Sequence, residues 1–319
     1  MIVRWGLDEL PGLLAELGVE RPLLVASPRW SPPVDLAGVW SEVPSDRIVE
    51  AAGQAKLAGG LLALGGGSAI DLTKAVSAAT GLPMVSVPTT YSGAEWTPSF
   101  GIRDHDKLLR GGGSGAHLAG IVYEPELTLG LPRPETVGTS LNALAHAAEA
   151  LYVKGRTAES DREALTGARL IDEWLPRVAE DGRDIEARRG LLAGAMHAGA
   201  ALAAGGLGLG HAMAQALGGR YGLPHGALNA ITLPAALRFS EAVAGAEIAR
   251  FGEAIGTDDP VGRVEELARL GGFERLRDLG VPEDELGEVA AATAVRGGAQ
   301  ANPRQASEAE ITELLRSIW

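Results

Sequence analysis

The chain has 319 residues, 46% of them hydrophobic, and carries a formal charge of −13 with no cysteine. That length buries a substantial core in one large domain or two modest ones. The acidity argues against a phosphate-backbone partner, and the missing thiol excludes disulfides, thiolate metal sites and a cysteine nucleophile.

Along the chain, the first ten residues already mix Arg4, Asp8 and Glu9, which is not the pattern of a signal peptide. Short apolar runs follow: Pro22-Leu-Leu-Val-Ala26, Gly60-Leu-Leu-Ala-Leu64, Met84-Val-Ser-Val-Pro88 and Ala119-Gly-Ile-Val-Tyr123. Each predicts a strand, and the stretches 44–57 and 69–80 between them have helical spacing. Alternation of this kind predicts an α/β domain built on a parallel sheet over residues 1–131. After Leu131-Pro-Arg-Pro134 the texture becomes Ala/Leu/Glu/Arg-rich. Helices are expected at 140–153, 160–179, 184–204 and 211–217, giving an all-helical domain over 132–319. The most apolar stretch, Leu191 to Gly210, contains His197 and several glycines, so it reads as a buried helix and a glycine-rich turn rather than a membrane span. A cytoplasmic protein with no membrane and no nucleic-acid partner is expected.

Two constellations carry chemistry. Gly65-Gly66-Gly67-Ser68 leads from a strand directly into a helix, with Asp71 and Lys74 in its first turns. Such a loop is either a tight strand-to-helix turn or a diphosphate cradle made from amides at the helix start. The second is a set of histidines. Asn142 and His146 share a helix face at i, i+4, beyond a cap expected at Thr139 or Ser140; Glu149 lies three residues further. His211 opens another helix, whose end is expected at Gly218-Gly219, and His225 is placed in the Pro224-His-Gly226 loop. Three histidines on separate segments could converge on a divalent metal or on a substrate, or each could be a buried ring bonded to a carbonyl. His105 and His117 read as loop residues, and His197 as packed in the core.

Taken in order, these segments resemble the iron-containing alcohol dehydrogenase superfamily, with its dehydroquinate synthase-like fold. The resemblance rests on Gly65-Gly-Gly-Ser-Ala-Ile-Asp71, Val87-Pro-Thr-Thr90, His211-Ala-Met-Ala-Gln-Ala-Leu-Gly-Gly219 and Leu223-Pro-His-Gly226. Within it, Pro88-Thr-Thr-Tyr-Ser-Gly-Ala-Glu-Trp-Thr-Pro98, Tyr123-Glu-Pro-Glu-Leu-Thr-Leu-Gly-Leu-Pro132 and Asn302-Pro-Arg-Gln-Ala-Ser307 are similar to the maleylacetate reductases. The resemblance implies a homodimer that uses NADH or NADPH to reduce maleylacetate to 3-oxoadipate in aromatic-compound breakdown. Gly65, Gly66, Gly67, Ser68, Asp71, Thr89, Thr90 and Ser92 would hold the cofactor. His211, His225, His146, Asn142 and Lys107 would serve the chemistry, and Lys107 with Arg110 would meet the carboxylates of a small anionic carbonyl substrate. Metal-dependent members carry an aspartate where this chain has Asn142, so the resemblance implies catalysis without metal. The alternatives are a metal-dependent alcohol or polyol dehydrogenase, with Fe or Zn on His146, His211 and His225, or a non-redox member of the same fold. The segment after Ser27 is short, as though a helix of the nucleotide domain were trimmed.

Overall fold

A strand apolar on both sides needs a layer over each face. The computed structural model describes residues 1–319 and provides both layers around a sheet. In chain order the strands are β1 (Ile2–Trp5), β2 (Leu23–Val25), β3 (Gly38–Trp40), β4 (Leu61–Gly65), β5 (Pro83–Pro88), β6 (Phe100–Arg103), β7 (Leu109–Gly113) and β8 (His117–Tyr123). Six of them form a parallel sheet in the order β1-β8-β5-β4-β2-β3, while β6 and β7 pair as an antiparallel hairpin. The two-residue period of a strand sends alternate side chains to opposite faces. Leu24, Leu62, Leu64, Val85 and Val87 pack with Leu10, Leu13 and Leu14 of helix α1 (Leu10–Glu16). Leu23, Val25, Leu61 and Ala63 pack on the other face under α2 (Ile48–Gln54) and α3 (Gly67–Thr80), the latter through Ile70, Leu72 and Val76.

The four strands expected from sequence are β2, β4, β5 and β8. Unexpected are β1 and β3, which are four-residue and three-residue edge strands too short for a periodic signal, and the hairpin, whose β7 is mostly glycine. No helix forms between β2 and β3, where the sequence reads as trimmed.

Contacts divide the chain into two compact units: Met1–Thr90 with Ala94–Gly130, and Tyr91–Gly93 with Leu131–Trp319. The second is all helix: α4 (Arg133–Ala150), α5 (Ala158–Glu180), α6 (Ile185–Gly205), α7 (Leu209–Tyr221), α8 (His225–Ala254), α9 (Pro260–Arg269), α10 (Leu286–Ala294), α11 (Gly297–Ala301) and α12 (Glu308–Ser317). Three expected boundaries are corrected. α4 begins two turns earlier than Ser140, because Pro134 falls in its first turn, where a missing N–H is no loss. α7 runs through Gly218-Gly219 and stops at Gly222, whose φ of 67° makes the left-handed cap. His225 is not in a loop but is the first residue of the 30-residue α8, after Pro224 at the N-cap. Gly226 there serves close packing: a β-carbon on it would lie 2.4 Å from the Gly138 backbone. No single helix is long and apolar enough to cross a membrane.

Candidate active site

In the α/β unit, β4 ends at Gly65 and α3 starts at Gly67, so the glycine loop is the strand-to-helix junction itself. A β-carbon on Gly66 would sit 2.9 Å from Thr90 Cγ2, and one on Gly65 2.9 Å from Ala69 Cβ. Glycine is therefore what lets this backbone close on its neighbours. The first bonds of α3 run from Ala69 and Ile70 to the Gly66 carbonyl, so the amides of Gly67 and Ser68 stand at the open helix start. The N-cap, Gly66, supplies no side-chain acceptor, and Ser68 is exposed. Thr89 is buried and donates its N–H to the Gly65 carbonyl. Asp71 is committed within the protein: Oδ1 pairs with buried Lys74 at 2.9 Å, and Oδ2 accepts from Gly101 N at 3.2 Å. It thus fastens β6 to α3, and it has no oxygen left unpaired for a ligand. Lys107 is exposed in the β6–β7 turn at φ 64°. Arg110 is half-exposed and ion-paired with buried Asp104.

In the helical unit, α4 is buried on every side from Thr136 onward, except near Thr139, and is apolar around most of its circumference. Its large polar interruptions, Asn142, His146 and Glu149, recur at i, i+4, i+7 and so line one face. Glu149 is fully buried. Its carboxylate accepts from Gly208 N and Gly210 N, both at 2.7 Å, and from His211 N at 3.3 Å, at the start of α7. His211 Nδ1 lies 2.7 Å from the same carboxylate. Every other contact of Glu149 is with a donor, so Nδ1 donates too, leaving His211 Nε2 buried and without a partner. The His146 ring stacks on His211 with centroids 4.6 Å apart, and His225 tilts against His211 at 5.8 Å. The three histidines do converge. Burial, followed by the neighbouring His211 and His225 rings, pushes the His146 pKa well below the ordinary histidine range, so that ring stays neutral.

Segment Tyr91–Gly93 runs along the same face of α4. Tyr91 N approaches Thr139 Oγ1 at 3.4 Å, the Ser92 carbonyl accepts from Asn142 Nδ2 at 2.8 Å, and a β-carbon on Gly93 would stand 3.4 Å from His146 Nδ1. The Tyr91 hydroxyl accepts from buried Arg188 at 3.1 Å. Asn142 Oδ1 in turn accepts from Asn229 Nδ2 at 2.7 Å, and the same NH2 reaches His225 Nε2 at 3.1 Å. Asn229 and Arg188 are not anticipated from sequence. Asn229 is one turn beyond His225, a relation hidden while Pro224-His-Gly226 reads as a loop. Arg188 carries no local signal. Of the remaining histidines, His105 is in the exposed β6–β7 turn and His117 opens β8. His197 is only half-buried and pairs with Glu163 at 2.6 Å, not packed in the core as expected.

Comparison with known proteins agrees with this geometry. The family model described as Fe-containing alcohol dehydrogenase, C-terminal, matches residues 136–319, and that of iron-containing alcohol dehydrogenase matches 4–114. A maleylacetate reductase of Burkholderia cepacia is 34% identical over 99% of this chain and 95% of its own length. Among solved structures, maleylacetate reductase from Agrobacterium tumefaciens superposes with a TM-score of 0.89 at 29% identity, covering 100% of this chain and 95% of its own. That from Rhizobium sp. strain MTP-10005 gives 0.86 at 30% identity, with the same coverage.

Proposed function

The chain belongs to the iron-containing alcohol dehydrogenase family and is an NAD(P)-dependent oxidoreductase, and from that premise we propose that it reduces the conjugated C=C of an oxo-dicarboxylate, maleylacetate, without a metal ion. The observation that carries this reading is the state of Asn142: its one oxygen accepts from the Asn229 amide, and its nitrogen donates to the Ser92 carbonyl.

A divalent cation needs several convergent donors, preferably with an anionic oxygen among them. Here His225 Nε2 and Asn142 Oδ1 both face the Asn229 NH2, and the Glu149 oxygens are taken by backbone amides and His211. In this cluster the buried atoms without partners are His146 Nδ1, His211 Nε2 and Asn229 Oδ1. Two neutral nitrogens and a neutral amide oxygen, with no anionic donor free, are a poor divalent site, so the donor set does not fit a metal and no step here runs through one. The glycine loop does fit a nicotinamide dinucleotide: its close backbone approach and the outward amides of α3 suit a diphosphate. When bound, the reduced cofactor supplies hydride.

The chain's own groups then have to manage charge and a proton. Hydride arriving at the alkene carbon remote from the ketone moves the π electrons onto the ketone oxygen as an enolate. Protonation of the adjacent carbon completes the saturated 3-oxo acid. His211, with Nδ1 held by Glu149, presents Nε2 as the nitrogen that carries that proton. His146, kept neutral by burial, stacks alongside it. A conjugated ketone disperses its own negative charge, so donors of this kind suffice where a simple carbonyl benefits from a Lewis acid. Lys107, exposed in its turn, is the proposed contact for a substrate carboxylate.

The test is NADH oxidation by the purified protein with maleylacetate beside a panel of aldehydes and ketones, before and after exhaustive chelation. Turnover of maleylacetate alone, unchanged by chelation, is expected. Loss on chelation with recovery on adding Fe²⁺ or Zn²⁺ would put a metal-dependent alcohol dehydrogenase in its place.

A further inference from the structure

A line of hydrogen bonds crosses the helical unit from Ser92 to His225, and its direction is fixed at one end. Ser92 O is a main-chain carbonyl and can only accept, so Asn142, 2.8 Å away, turns its NH2 toward it. Asn142 Oδ1 is then the atom facing Asn229, which donates from Nδ2 across 2.7 Å. That same NH2 meets His225 Nε2 at 3.1 Å and the His225 carbonyl at 3.2 Å. An amide nitrogen has no lone pair to offer, so Nε2 is the acceptor. Turning the amides the other way would press Asn142 Oδ1 against the Ser92 carbonyl in a buried site, leaving two acceptors without a proton between them. Asn142 and Asn229 are 4% and 0% exposed, so water is not at hand to relieve such a clash.

We propose that Asn142 and Asn229 are positioning residues that hold neutral His225 in the tautomer protonated on Nδ1, so that this ring donates from Nδ1 and never from Nε2. Asn142 is therefore more than an aspartate that has lost its charge. It needs a donor on one side and an acceptor on the other, and an amide offers both from two separate atoms, as an ionised carboxylate does not. A carboxylate at this position could serve Asn229 but not Ser92. The tautomer is a property of the free protein and does not rest on the substrate proposed above.

The experiment uses the full chain labelled with ¹⁵N-histidine and a long-range ¹H–¹⁵N correlation at about pH 8.5, where histidine is ordinarily neutral. His225 is identified by its absence from the spectrum of His225→Gln. A protonated Nδ1 and an unprotonated Nε2 are expected in the parent; the opposite pattern overturns the proposal. Asn229→Asp replaces a donor by a group that only accepts, so the pattern should reverse. In the reductase assay kcat should fall about tenfold or more, with KM and NADH affinity within about twofold. Retention of the parent pattern in Asn229→Asp overturns the assignment. Asn142→Leu removes the oxygen that orients Asn229, and both tautomers should then coexist; a single unchanged pattern removes Asn142 from the proposal. If Asn229→Asp does not fold, the parent and Asn142→Leu spectra still decide. None of these spectra needs a substrate, so failure of the maleylacetate assay and failure of the tautomer are read separately.

Discussion

Gly66 shows how tightly a single position can be bound to function. A β-carbon there would meet Thr90 Cγ2 at 2.9 Å and stand on the face where the amides of α3 emerge. Gly66→Ala should weaken NADH binding about tenfold, roughly 1.4 kcal/mol, as measured by cofactor-fluorescence titration; binding as tight as the parent's would sink the phosphate-cradle reading. At this scale the sequence is informative wherever spacing lies within one helix. Asn142, His146 and Glu149 stand out as one face of α4 from their spacing alone. The partner of His211 does not, because the Glu149–His211 bond joins residues 62 apart through the way α4 packs against the start of α7. Asn229 is hidden by a misplaced boundary, since a proline followed by histidine and glycine looks like a turn until Pro224 is recognised as an N-cap.

Between elements, the short turn Ala94–Trp96 is tied to β8 and β1 by a buried polar cluster. Glu95 accepts from Tyr123 Oη at 2.7 Å, Tyr123 accepts from Trp96 Nε1 at 2.8 Å, and the Trp5 and Tyr123 rings lie 5.1 Å apart. Burial raises the Glu95 pKa above the ordinary carboxylate range, outweighing the bonds and the nearby Lys74 charge that pull it down. The folded state therefore holds a proton on Glu95 more readily than the unfolded chain does. Its contribution to stability is full below about pH 4.3, the unfolded value, and is lost as pH rises through the raised folded value. Urea unfolding of parent and Glu95→Gln at pH 5 and pH 8 checks this. The substitution should be more favourable at pH 8 than at pH 5 by about 1 kcal/mol, and an equal effect at both would contradict it. Elements of this kind are legible in unequal measure. The central strands announce themselves as continuous apolar runs, because both faces are covered, whereas edge strands such as β3, with half-exposed Val39, carry no such mark.

For the molecule as a whole, the sheet order decides which residues stand beside the glycine loop. β2 is the neighbour of β4 on one side, and it leads into Ala26 and Ser27 where NAD-strict enzymes usually place an acid against the ribose 2′-hydroxyl. Arg29, nearby, stacks on Trp30 at 4.6 Å. With no acid to repel a 2′-phosphate, NADH and NADPH should be used with kcat/KM values within about tenfold, or 1.4 kcal/mol, of each other; a ratio above about a thousand in either direction would reject this. The α/β and all-helical organisation is readable from texture alone, since alternating strand and helix patterns give way to helix-only segments. The course of Tyr91–Gly93 is not, because three residues of strand end pack with the helical unit for reasons that lie in α4 rather than in themselves. An ancestor or descendant with aspartate at position 142 would bring a carboxylate to the Ser92 carbonyl, at a spot where the amide now donates across 2.8 Å. One base change can exchange the side chains, but it leaves two oxygens repelling each other until the tripeptide backbone shifts. Residue 142 and the segment between β5 and β6 are therefore coupled, and an aspartate at 142 fits only if that segment moves with it.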